Sequence, residues 1–445
     1  MHSKPSRARA VRYREEAIHS LDQDRPDEAF ALLSYSFEHD PGYRSAYESA
    51  IEILETIGHY DEANLFQTAL ESFGEAGAFY HLGYYFFDQG QTRLAIPFLA
   101  RAATLRRDHP DTLIALAISL SAEGRFREAQ RTLESHPERE TQFWPYYEWV
   151  YNHLLLGRPE TAAKGLARIK RRLDDFRDTV SEDEIDDFDS SVDRLESGLR
   201  RHAGLPSRDD RSIRDWHYIQ YGTAVLDLMD TRYGPDAAGL AGGRYLGLWS
   251  SREFVHGMLL RLLVLLSDLG FRPRRVLFGP DFESEILAQA LGRLLAAPVE
   301  AFDRARRRED ALVVVGSSEE LSDMPDVAER APGQALFAYA LQWTRDSLVV
   351  PDVSGVLAQV HWFPWQDPHS ADAELAYDLP ADPRPVPEIV DWVLAAEPAP
   401  PPADWDAHRE FYVRLRRELA LDDWLRRPRR DRFLTNSPVR GWRFA

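Results

Sequence analysis

The sequence predicts an α + α/β protein: a helical solenoid, then an α/β domain with a mostly parallel sheet, then a C-terminal helix and a basic tail. Three observations predict it. A short pattern returns five times at a near-constant interval within the first 176 residues. Past Ser212, short apolar runs alternate with amphipathic helical segments. The last stretch, from Arg426, carries seven arginines against Asp431. The 445 residues then divide into 8–176 for the repeats and 177–212 for an acidic capping helix and linker. Residues 213–396 form the α/β domain, and 397–445 a Pro-rich spacer, helix and Arg-rich tail.

The repeat is read from "RPDEA", "GHYDEA", "GQTRLA", "GRFREA" and "GRPETA". These end at Ala29, Ala63, Ala95, Ala129 and Ala162, with spacings of 34, 32, 34 and 33 residues. A turn, a polar helix start and a small residue at a helix crossing mark a two-helix unit. Such a unit buries its apolar face by stacking on its neighbours. The third copy is the fullest: Phe79, Leu82, Gly83 and Phe86, then Gly90, Ala95 and Leu99.

This pattern resembles the tetratricopeptide repeat. The resemblance implies a superhelix whose concave groove is lined by the first helix of each repeat, and a protein or peptide partner held there. The projected groove residues are Tyr80, His81, Tyr84 and Phe87 in the third repeat and Trp144, Tyr147 and Tyr151 in the fifth. Glu48, Glu52 and Glu55 make its beginning acidic. Aromatic side chains are enriched at binding hot spots, although each of these could instead pack between helices. The three lysines, Lys4, Lys164 and Lys170, miss the projected groove. The lysine-based carboxylate clamp of chaperone-binding relatives is therefore not expected. A basic or apolar peptide, or a partner domain, suits this groove better.

Between the two halves, "LDDFRDTVSEDEIDDFDSSVDRLE" holds eleven acidic residues, yet Phe176, Ile185, Phe188, Val192 and Leu195 recur at near-helical spacing. This reads as a charged helix capping the solenoid, because solenoid ends need a polar outer face. The spacing is not that of a calcium loop.

In the α/β region, "RRVLFGP", "VEAFDR", "ALVVVGSS" and "QALFAYAL" read as strands. "REFVHGMLLRLLVLLSDLG" and "FESEILAQALGRLLAAP" read as helices. The order resembles a type I phosphoribosyltransferase over roughly residues 252–357, in degenerate form. The resemblance implies a possible phosphate-binding turn at Gly316, Ser317 and Ser318. It departs from the family where the sugar phosphate would be held: Gly316 and Ser317 replace an acidic pair, and Glu319 and Glu320 follow. The expectation is an α/β domain without catalytic residues. A nucleotide- or phosphosugar-dependent transferase targeted by its repeats is the alternative.

Other motifs are weaker. Gly239, Gly242 and Gly243 form a glycine-rich stretch with no strand before it and no lysine after it. His361, Asp367 and His369 sit close in sequence, but their spacing matches no standard metal site. No metal and no cofactor are expected. The net charge of -19 argues against nucleic acid as a partner, and the absence of cysteine excludes disulfides and thiolate chemistry. The most apolar run, "MLLRLLVLL", is too short to span a bilayer, and "MHSKPSRARAVRYREE" lacks an apolar core. No membrane association and a cytoplasmic location are expected. The basic tail is expected to dock on the protein's own acidic groove or hinge, or on a partner.

Overall fold

The computed structural model describes residues 4–206, 211–229, 240–303, 309–366, 382–422 and 429–441. They fall into two compact units, Met1–Val192 and Asp193–Phe444.

The first unit begins with five helix pairs: α1 Lys4–Asp22 with α2 Pro26–His39, α3 Arg44–Thr56 with α4 Tyr60–Glu71, and α5 Ala76–Asp88 with α6 Thr92–Leu105. The last two are α7 Pro110–Ala122 with α8 Phe126–Glu134, and α9 Phe143–Leu155 with α10 Pro159–Arg171. Each repeating alanine lies near the start of a second helix and is buried. The turn glycines Gly58, Gly90, Gly124 and Gly157 are left-handed, with φ from +67° to +81°. The first pair has no glycine there and uses Asp24 at φ +58°. Aspartate is among the residues that tolerate this region. Gly83 shows why small residues recur: a Cβ there would lie 2.9 Å from the Leu99 backbone nitrogen. Phe37, Phe66 and Phe98, one from each of the first three pairs, meet with ring centroids 5.0–5.8 Å apart. That shared packing is what ties one repeat to the next.

After α10 come the short α11 Leu173–Arg177 and α12 Ile185–Ala203, which carries the predicted acidic, apolar-striped segment and runs across the division between the units. Phe188 of α12 packs on Phe143 at 4.2 Å, and Phe176 of α11 stacks on Tyr146 at 5.6 Å. These rings close the end of α9.

The second unit is built on a seven-stranded sheet whose pairings are all parallel. Its strands are β1 Ala224–Asp227, β2 Tyr245–Trp249, β3 Arg275–Phe278, β4 Val299–Ala301, β5 Ala311–Ser317, β6 Ala335–Gln342 and β7 Val353–Trp362. The spatial order is β1-β7-β6-β5-β3-β4. β1 pairs with Val353 to Val356 and β2 with Ala358 to Trp362, so the two lie end to end along one edge of β7. The described helices are α13 Ile213–Tyr221, α14 Arg252–Asp268, α15 Phe282–Leu295, α16 Val386–Leu394 and α17 Trp405–Arg414. β5 and β6 are buried along nearly their whole length, which is why they read as unbroken apolar runs rather than alternating ones.

The described part of the basic tail seats on this second unit. Arg430 is fully buried and bonds Asp352 through Nε and a terminal nitrogen at 3.1 and 2.9 Å. Arg330 reaches the same carboxylate at 2.7 Å. Burial opposes ionisation of Asp352, yet the two guanidinium groups hold its carboxyl below the usual range. Phe433 then exchanges two 3.1 Å backbone hydrogen bonds with Ser347, and Tyr221, Gln220 and Arg244 donate to the carbonyls of Leu434, Asn436 and Val439. Arg194, in the predicted hinge, lies 4.0 Å from Asp431. The main anchor is Asp352 rather than the acidic groove or hinge: one carboxylate at the start of β7 attracts the arginine more strongly when both are desolvated. Among the described residues, no helix is long and apolar enough to cross a membrane.

Candidate functional site

The concave-face candidates of the third repeat form a continuous aromatic row on α5. Tyr80 lies 5.5 Å from Tyr84, and Tyr84 lies 5.7 Å from Phe87, centroid to centroid. His81 is exposed beside Tyr80, and Tyr84 is 43% exposed, well above most aromatic residues of the unit. His109 extends the row, 5.2 Å from Tyr80. The repeat pattern does not point to it because it lies in the turn before α7, where its Nδ1 accepts from Thr112 N and caps the helix. Burial, then Asp111, raises the Tyr80 hydroxyl above its ordinary range. On α3, Glu48, Glu52 and Glu55 are all exposed.

The fifth repeat differs from the expectation. Tyr147 and Tyr151 are 3% and 2% exposed. Their rings stack at 5.7 Å, and Tyr147 also stacks on Phe143, which α12 covers through Phe188. Trp144 is half-buried and meets Tyr147 edge-on at 6.2 Å. Both tyrosines are thus buried, with Tyr151 stacked on Tyr147 and Tyr147 on Phe143, rather than open to solvent. The accessible aromatic face is therefore that of α5.

Residues 86–148 match the tetratricopeptide repeat family model. They run from the last turn of α5, through α6, α7 and α8, into the first half of α9. Residues 86–148 match tetratricopeptide repeats, and the helix pairs on either side keep the same alternation. Solved structures with similarity include "YrrB: a TPR protein with an unusual peptide-binding site", at 22% identity over 36% of this chain and 85% of that one, TM-score 0.23. MamA AMB-1 is similar at 19% identity over 36% and 97%, TM-score 0.24. PilW, described as a widely conserved type IV pilus biogenesis factor, is similar at 15% over 44% and 86%, TM-score 0.26. The tetratricopeptide assignment rests on the family match and the in-phase helix pairs. No curated protein matches the chain.

The turn after β5 lies where the strand order reverses, between β3 and β5. In open α/β sheets this is where a crevice forms outside the carboxyl ends of the strands. Three local features occupy it. Asp281 caps α15 by accepting from Ser284 N at 2.7 Å. The Ser284 hydroxyl donates to Asp281 and accepts from Gly316 N at 2.9 Å. Glu283 accepts from Gln366 at 3.2 Å, and a Cβ on Gly316 would lie 2.8 Å from the Glu283 Cβ. Two of the turn's amides are thus already engaged: Gly316 N by Ser284, and Glu319 N by the Ser317 hydroxyl at 3.3 Å. Ser318 is buried, and its hydroxyl accepts from Gln342 N at 3.0 Å to hold β6. Glu320 is pushed up to about 7, by burial first and then by Asp281, Glu283, Asp323 and Glu319. This field repels anions, and the serines have structural partners rather than a base.

His361 accounts for the loop motif differently. It shares a 2.9 Å hydrogen bond with the Ser250 hydroxyl and packs between the rings of Tyr339 and Phe363. Burial pushes its imidazole down to about 3. Asp367, His369 and Gly239 lie outside the described residues. Among the described residues there is no group of three or more His, Asp or Glu placed to hold a metal.

Proposed function

We propose that this protein is an interaction scaffold that captures a protein or peptide segment on the concave face of its repeats, and that the α/β unit is not catalytic. The observation that carries the reading is the aromatic row of α5, centred on the exposed Tyr84, followed toward the N-terminus by the exposed glutamates of α3. Flat amphipathic rings bury large area at little entropic cost. The exposed carboxylates of α3, of which Glu48 also meets Arg44 at 3.9 Å, favour a segment with arginine or lysine next to apolar residues, by charge complementarity and cation–π contact. The acid-lined turn after β5, with the Gly316 and Glu319 amides already engaged, supports the non-catalytic reading of the second unit.

The test is a selection of random peptides displayed against the full chain. Enriched sequences should combine basic and apolar residues and should bind Tyr84→Ala at least about ten-fold more weakly. Enrichment of acidic peptides, or equal binding to Tyr84→Ala, contradicts the proposal.

A nucleotide- or phosphosugar-dependent transferase is the second reading, favoured by the crevice at the β3/β5 reversal. It requires that such a ligand with magnesium raise the melting temperature, and that Ser317→Ala abolish the rise.

A further inference from the structure

A second feature of the α/β unit has no part in either reading. A cavity of about 340 Å³ opens where the sheet edge passes from β1 to β2. Leu226 and Leu228 line it from β1 and the residues following, while the intervening Asp227 engages Arg261 and the Tyr245 hydroxyl. This is the alternation of a strand, and it makes the cavity's floor apolar. Met229, Trp405, Ile213 and Val439 complete the apolar walls. Met229 N donates to Gly243 O at 2.9 Å, joining two of the lining residues. Gly242 and Gly243, the glycine-rich motif, also line the space. Both are left-handed, at φ +62° and +85°, and a Cβ on Gly242 would fall 2.4 Å from the Arg440 carbonyl oxygen. These glycines let the tail cross beside the cavity rather than cradle a phosphate. The mouth is polar, with exposed Ser212 and Asp404.

One buried polar group faces this space. His408 lines the cavity and is 5% exposed. Its Nε2 lies 2.5 Å from the Val225 carbonyl oxygen. A carbonyl only accepts, so the proton is on Nε2 and Nδ1 keeps a lone pair. No described hydrogen bond engages Nδ1. Burial lowers the imidazole's proton affinity, which keeps it neutral near pH 7. Small-molecule sites have this composition: a few hundred cubic ångströms, apolar and aromatic walls, and a single placed polar group.

We infer that this cavity binds a small, flat, mainly apolar molecule of about two fused rings carrying one hydrogen-bond donor, which His408 Nδ1 accepts. Trp405 and the leucines supply the contact area, and the acceptor orients the ligand. Phosphorylated or anionic ligands do not fit, since the cavity offers no cation among its lining residues.

The probes are indole and 1-methylindole, matched in shape and differing in the N–H donor, titrated into the full chain by ligand-observed NMR. Indole should bind saturably and about five-fold tighter than 1-methylindole, the size of one net hydrogen bond. Leu228→Trp fills the cavity and should abolish binding while the circular dichroism spectrum is kept. Met229→Trp serves the same purpose from another wall if Leu228→Trp does not fold. Absence of saturation by either probe up to 1 mM, equal affinities for the two, or binding that survives a folded cavity-filling variant overturns the inference.

Discussion

Glu320 holds its proton up to about pH 7 because burial and four neighbouring carboxylates oppose its charge. Its folded value lies above the unfolded one of 4.5, so between the two the folded state binds the extra proton. Stability from this group is therefore present below about pH 4.5 and is lost as pH rises through 7. At about 1.4 kcal/mol per pH unit, discounted for partial exposure, the loss is about 2 kcal/mol. Glu320→Gln should flatten the pH dependence of chemical denaturation between pH 5 and 8; an unchanged slope contradicts the assignment. Asp352 is the opposite case, a buried carboxylate that two arginines keep ionised. Asp352→Ala leaves both guanidinium groups without that countercharge and should cost at least about 3 kcal/mol. Arg430→Ala, which leaves one arginine opposite one aspartate, should cost less. Urea denaturation of the two variants checks the order. The chemistry of the β5 turn was legible in "GSSEE" as charge, but the partners were not: Ser284 and Gln366 reach it from other elements, and nothing local announces them.

Among the elements, the helix pairs were the most legible, because each depends on a small residue at a fixed crossing. Gly83 against Leu99 and Ala95 beside the same turn are local requirements that leave a period in the sequence. β3, β4, β5 and β6 were legible as apolar runs bounded by turns. β1 was not, nor was β7 in full, since Gly355 interrupts its pattern. A Cβ there would lie 2.4 Å from the Tyr339 carbonyl oxygen, a packing constraint that only the folded sheet reveals. The fate of α9 shows the limit of helical phase. Projection put Tyr147 and Tyr151 on the groove side, yet both are buried, Tyr151 stacked on Tyr147 and Tyr147 on Phe143. Tyr147→Ala should therefore destabilise the first unit by about 3 kcal/mol, a core truncation, rather than act as a surface change. A melting temperature equal to that of the parent protein would return Tyr147 to the groove.

At the scale of the whole molecule, the chain joins a tetratricopeptide solenoid to an all-parallel α/β unit that carries its own C-terminal strap. One of the seven arginines of the basic tail, Arg430, is held inside the fold by Asp352. The proposed division of labour assigns recognition to the repeats, with the accessible aromatic face on α5 as its centre. The measurement that tests this most directly is a binding isotherm of a peptide selected on the full chain, compared between the parent protein and Tyr84→Ala. The account predicts an affinity loss of at least about ten-fold with a melting temperature unchanged within about 2 °C, because an exposed ring contributes little to folding. Equal affinity in the two proteins would contradict it.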